Sequence, residues 1–361
     1  METLLKTVGR SLLVSSMIPA IAFVTVTMVI FAPHLPIDLL VWLKIDEPDF
    51  GGVLAFVLVT SFIAAYTLMI LNWMLVRLYE GYYLPLPVAR RIAKRQIKRH
   101  NQLAHDVRDS KKQLEGLKRD SDLYRRRWRE YVERKGQLTA QFPDNVTDFL
   151  PSRLGNIYRA FEDYPFVRYG MHGVFFWPRL AKVIPADYAA KLEELNNAVA
   201  FLLASSLISV LIGVEVIIAL ISMETLDLRV FIPLACFVLS RFFYHAATST
   251  ALTYGHYVRT CYDLFRLDLL AALRIEPPAN PDDEKELWRR VHEFLVLGED
   301  SPYRRRAPAH SPSMLLCTAG QLIQTWVALI FWSGFSRALK WISAPVGNSQ
   351  MNIIPVRAGE G

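Results

Sequence analysis

The chain has 361 residues, of which 52% are hydrophobic and 21% charged, and its mean hydropathy of +0.22 lies above the balance of soluble domains and indicates an integral membrane protein. Its three cysteines, Cys236, Cys261 and Cys317, stand far apart, which excludes a disulfide framework and a paired-cysteine metal site. The formal net charge of +7 is concentrated in one stretch, and its location is more informative than its size.

A bilayer core of about 30 Å needs roughly 20 apolar residues as a helix. Residues 12–31, 53–76, 199–222 and 230–250 meet that need. The first stretch is too long for a signal peptide and no small-residue cleavage site follows it, so it reads as a retained anchor with a kink expected at Pro19. Lys6 and Arg10 precede it, whereas residues 33–52 hold Lys44 against Asp38, Asp46, Glu47 and Asp49. The segment after the second stretch is crowded with arginine and lysine. This bias predicts a cytoplasmic amino terminus and middle region and an external turn at 223–229. Trp42, Trp73, Tyr79, Tyr82 and Tyr83 are expected at the membrane interfaces. A further stretch, 314–335, is interrupted by Gln321 and Gln324 and has positive groups at both ends. It either crosses the bilayer or forms an interfacial, re-entrant or protein-buried helix.

These stretches divide the chain into a hairpin (1–79), a basic helical domain (80–198), a second hairpin (199–250), helices packing on the middle domain (251–298) and a tail (299–361). Residues 89–135 carry seventeen arginines and lysines against seven acids. A heptad reading places Val107, Leu114, Ser121 and Trp128 at one seam position and Leu103, Ser110, Leu117, Tyr124 and Tyr131 at the other, a weak coiled coil because of its two serines. Arg90, Arg91, Lys94, Arg95, Lys98 and Arg99 follow the second span closely and are candidates for contact with anionic lipid or another anion. The alternative is a solvated helical hairpin or stalk. Nucleic acid is not an expected partner, since no aromatic strand motif or zinc finger accompanies the charge. His100 and His105 read as surface residues.

A helix opening at Pro151 is predicted to end before Pro165. On it Arg153, Asn156 and Arg159 lie on adjacent turns and Arg159 can pair with Asp163. These four form a candidate phosphate or carboxylate pocket, or else lock a small domain against the membrane helices. The fourth span is expected to continue as a helix towards Pro277, with Tyr254, Tyr257, Val258, Cys261, Leu264 and Phe265 as its apolar stripe. A last helix has Asn280 as cap, Pro281, Asp282 and Asp283 in its first turn and Gly298 after its end, and should bury Trp288, Val291, Leu295 and Leu297.

The stretches LNWMLVRLYEGYYLP, PSRLGNIYRAFEDYPFVRYG, and YDLFRLDLL with ELWRRV resemble blocks of a bacterial multispan membrane-protein family without an assigned activity. The resemblance covers roughly residues 71–297, implies a location in the bacterial inner membrane and carries over no catalytic residue.

Within the apolar stretches the ionisable residues are Glu215, Arg241 and His245. Charge in lipid is costly, so each should face protein or water. Antiparallel pairing about 223–229 brings Glu215 within about one turn of Arg241, while Arg241, His245 and Thr248 share a face with Tyr244 beside it. This polar cluster is either a structural clasp or the lining of an ion or proton path. No phosphate-cradling glycine loop, helical histidine pair or nucleophile elbow is present in the sequence, so neither an enzyme nor a cofactor or metal is expected. The fold class is thus an all-α integral membrane protein with four transmembrane helices, a fifth candidate, and a helical, partly coiled-coil cytoplasmic domain. The expected function is an oligomeric channel or pore component, resembling the bestrophin anion channels in layout but without their sequence motifs. The alternative is a membrane-anchored scaffold or sensor that binds a cytoplasmic protein partner.

Overall fold

The structure, a computed structural model, describes residues 16–31, 50–222 and 228–298. The acidic loop with Trp42, most of the 223–229 turn and the 314–335 segment lie outside the described residues. Helices and 3-10 turns make up the regular structure, with no strand among the described residues. In chain order the helices are α1 (Ile18–Phe31), α2 (Phe50–Ile70), α3 (Asn72–Glu80), α4 (Leu86–Lys112), α5 (Asp122–Gln141), α6 (Arg153–Tyr169), α7 (Gly173–Leu180), α8 (Ala186–Ser222), α9 (Phe231–Ala272) and α10 (Pro281–Leu297).

Two helices, α8 and α9, are each long and apolar enough to cross a bilayer. Together α2 and α3 supply a third candidate, bent by 57° at the break between them. The expected single span over 53–76 is therefore broken at Leu71. Its cause is a change of character: Leu75 turns inward to pack on Leu154 and Leu203, and the apolar run gives way to Arg77 and Glu80. Pro19 is the second residue of α1, and the helical turn continues back through Met17 and Ser16 in the wider π form.

The longest helices join the apolar and polar parts. α9 has 42 residues, about 63 Å at helical rise, and continues past residue 250 as its lack of breakers predicts. α8 begins well before the apolar stretch, at Ala186. The two pack antiparallel along their length. A Cβ on Gly213 would sit 3.2 Å from Cβ of Cys236, and Ser206 Oγ lies 3.0 Å from Ser240 Oγ. Small residues thus let the backbones approach and set the register.

The expected continuous seam over 103–131 reverses at residues 113–121, so α4 and α5 form a hairpin. α5 opens with Ser121 as cap, whose Oγ accepts from Tyr124 N at 3.1 Å. α6 begins after Ser152, whose Oγ accepts from Gly155 N at 2.9 Å. It runs through Pro165 to Tyr169 instead of stopping. The proline ring is buried against Gly173, where a Cβ would lie 2.7 Å from Pro165 Cγ, so tertiary contact compensates for the lost donor.

Two cores result. The distal core joins α6, α7, α9 and α10 around Phe161, Phe176, Tyr262, Leu270 and Trp288. Its α9 contribution includes Tyr254, Tyr257, Val258, Cys261 and Phe265 as expected, but Leu264 is exposed. α10 has its expected caps, Asn280 accepting from Asp283 N at 2.9 Å and Gly298 left-handed. Trp288 and Val291 are buried there, whereas Leu297 is exposed, because it lies in the last turn beyond the packing surface. The second core, at the junction with the apolar helices, is built from smaller groups: Leu75, Leu154, Ile157, Val199, Leu203, Ala204, Ala247 and Ala251.

Candidate functional site

Tyr244, on α9, is the hub where the three predicted groups of site residues partly converge. Its ring stacks on Tyr79 of α3 at 5.8 Å, and Tyr79 Oη donates to Ser206 on α8 at 2.8 Å. Its own hydroxyl accepts from Leu154 N, in the first turn of α6, at 3.4 Å. The Arg241 guanidinium lies 5.6 Å from the centre of the same ring. Arg153, beside Leu154 in the chain, is consequently brought within electrostatic reach of Arg241. Arg99 of α4 is held near by its bond to Gln141 on α5, Nη2 donating to Oε1 at 2.7 Å.

The electrostatic neighbours of Arg153 are Arg99, Arg241 and the Tyr244 hydroxyl, with no carboxylate among them. Its Nε is buried and has no hydrogen-bond partner among the described residues. Burial, and then the two neighbouring guanidinium charges, lower its pKa from the usual arginine value. His245 shares the setting, within electrostatic reach of Arg241, Arg153 and Arg99, and is exposed.

The expected Glu215–Arg241 pair is absent from the ion pairs of the described residues. Glu215 instead accepts from Thr27 Oγ1 of α1, at 3.1 Å and 3.0 Å to its two oxygens. The packing register explains the difference. Contacts between 206 and 240 and between 213 and 236 set Glu215 opposite residues 231–234, so Arg241 lies about 10–15 Å further along. Thr248 is buried, and its hydroxyl donates to His245 O at 2.8 Å within its own helix.

The pocket predicted on α6 also divides. Asn156 is fully buried: Nδ2 donates to Leu150 O and Ser152 O, both at 2.9 Å, and Oδ1 accepts from Leu150 N at 2.8 Å. It is a clasp for the loop before α6. Arg159 turns to Glu162 at 3.5 Å, with Asp163 within electrostatic reach. Nearby, Glu80 is buried, and burial outweighs the Arg77 charge to push its pKa up to about 7. A Cβ on Gly155 would lie 2.7 Å from Glu80 O, so only glycine permits this contact between α3 and α6.

Of the α4 series, Arg90, Arg91, Lys94, Arg95 and Lys98 are exposed and only Arg99 turns inward. His100 packs edge-on against Phe142 at 5.3 Å and Phe149 at 4.9 Å, while His105 pairs with Asp109 at 3.1 Å on the surface. Residues not singled out from sequence include Ser206, Gln141 and Arg259. Arg259 joins three helices, its Nη2 donating to Thr139 O at 2.7 Å and Ala160 O at 3.0 Å. The only sequence signal for Ser206 is a run of small residues, Ser205, Ser206, Ser209 and Gly213, within an apolar helix.

Compared with protein-family profiles, curated proteins and solved structures, the chain matches none.

Proposed function

We propose that the protein is a membrane-anchored scaffold or sensor, whose helical domain docks a protein partner on the exposed face of α5. The observation that carries this reading is the aromatic ladder there. Tyr124 and Trp128 stack at 6.1 Å, Trp128 and Tyr131 approach at 5.7 Å, and Leu123, Trp128 and Val132 are exposed. Aromatic groups bordered by arginine are the usual anchors of protein interfaces, and Arg125, Arg126 and Arg129 border these. The complementary partner surface is apolar with an acidic rim. Four apolar stretches of spanning length, with lysine and arginine bias for a cytoplasmic amino terminus, support a reading in which α5 stands in the cytoplasm.

The test uses the full chain, because α9 and α10 supply much of the core beneath α6 and α7. A photo-crosslinking residue at Trp128 should capture one stoichiometric partner in cells, and the same residue at Lys182 should not. Absence of a stoichiometric adduct at Trp128 with the folded protein in the membrane would sink this reading.

A second reading, an oligomeric channel or pore component, is favoured by one feature of α9. Arg241, His245, Ser249, Thr253 and His256 are exposed and recur at helical spacing along one side. On oligomerisation that stripe would face a shared aqueous path. Planar bilayers containing the purified protein should then carry currents altered by Arg241→Ala; silent bilayers with an intact oligomer count against conduction.

A further inference from the structure

We propose that Arg99, Arg153 and Arg241 together form a binding site for an anionic phosphate group, at the point where α4 and α6 meet α9. Three features support it. First, three guanidinium groups from separate helices are brought together without a carboxylate among the electrostatic neighbours of Arg153. Concentrating like charge is unfavourable, and a bound anion offsets that repulsion. Second, the Nε of Arg153 is buried without a partner, and its side chain makes no ion pair or hydrogen bond among the described residues. A buried donor left unsatisfied is costly, whereas a phosphate oxygen accepts strongly from guanidinium. Third, Arg153 is the first residue of α6, where the helix dipole also favours negative charge.

The position identifies two sources for the ligand. On α9 the exposed apolar residues Leu234, Val238, Leu239 and Phe242 reach the level of Arg241, and the exposed residues that follow, His245, Ser249 and Thr253, are polar. The three arginines therefore stand where an apolar belt ends, at headgroup depth if α9 spans a bilayer. A phospholipid headgroup and a free phosphate ion present the same oxygens to them. Partner docking on α5 and conduction along α9 are separate matters, and binding is measured without reference to either.

The full chain is placed in nanodiscs of phosphatidylcholine alone or of phosphatidylcholine mixed equally with phosphatidylglycerol. Retained phosphatidylglycerol is counted by native mass spectrometry, and inorganic phosphate is titrated calorimetrically into the phosphatidylcholine discs. Wild-type protein should retain phosphatidylglycerol if the source is a headgroup, or bind inorganic phosphate if it is a free ion. Either probe should lose about tenfold or more in affinity with Arg153→Gln, the scale of one charge-assisted hydrogen bond, and also with Arg241→Gln. Arg153→Lys should restore part of it, and the exposed control Lys182→Gln, outside the basic series of α4, should leave it unchanged. Because Arg241 is exposed, Arg241→Gln gives the readout should Arg153→Gln fail to fold. No binding of either probe, equal binding by Arg241→Gln and wild type, or an equal loss with Lys182→Gln would overturn the proposal.

Discussion

The distal core and the junction with the apolar helices handle polar groups in opposite ways. In the distal core most buried polar atoms have partners inside the protein, Arg259 Nε at its edge being an exception. Tyr262 Oη donates to Gly173 O at 2.7 Å, Tyr164 and Tyr169 both donate to Asp263 at 2.8 Å and 2.6 Å, and Arg266 meets Glu284 at 2.7 Å. At the junction Arg153 Nε and Arg159 Nε lack partners, and Glu80 is buried where its charge is disfavoured. Large aromatic side chains fill the first region, while alanine, serine and leucine fill the second. A region whose polar groups are satisfied internally needs nothing more to be stable; one with spare donors can respond to a ligand.

Three changes break or sharpen this contrast. Trp288→Ala should have the largest effect. The indole is fully buried, packs at 5.1 Å on Phe176 and donates to Glu284 at 3.4 Å, so its loss should cost about 3–5 kcal/mol. Denaturant unfolding followed by tryptophan fluorescence would measure it; a loss below about 1 kcal/mol would mean that the distal core is loosely packed.

Next comes the junction's response to pH. Glu80 has a folded pKa raised to about 7 from 4.5, so between those values the folded state holds a proton that the unfolded state has released. Stability from this group is complete below about pH 4.5 and is lost as pH rises through 7, on the order of 3 kcal/mol in all. Glu80→Gln should flatten the fall between pH 5 and 8 and raise the thermal midpoint at pH 8. An unchanged profile would place the burden on another group.

The smallest effect belongs to the distal region and has the opposite sign. His292 stacks on His172 at 4.1 Å, and burial, then the His172 and Arg179 charges, lower its pKa from 6.5 against the pull of Glu293. Its contribution is present above pH 6.5 and is lost as pH falls through the lowered value. His292→Phe should reduce acid sensitivity in melting curves below pH 6.5 without altering the loss at high pH that is assigned to Glu80.

Much of this contrast is written in local signals, and some of it is not. The caps of α10 follow directly from Asn280, Pro281 and Gly298, because a cap depends on groups within one turn. The long continuation of α9 is legible for the same reason: no breaker interrupts it. The run of α6 through Pro165 is not legible, since the propensity that argues against it is overridden by packing against Gly173. Arg153, Arg241 and Arg99 were each identifiable as candidates, yet nothing in their spacing joins them, for they lie on three helices.

By itself the sequence determined the all-helical class, the positions of the apolar stretches and most of the buried faces of α9 and α10, because periodicity and hydrophobic length act along a single chain. Tertiary structure alone decided which charges meet. The small residues around Gly213 and Ser206 set how far α9 slides along α8, giving Glu215 to Thr27 and leaving Arg241 beside Tyr244 and Arg153. Interhelical register depends on how closely two backbones approach, and helical periodicity records the facing side but not the height at which its partner stands.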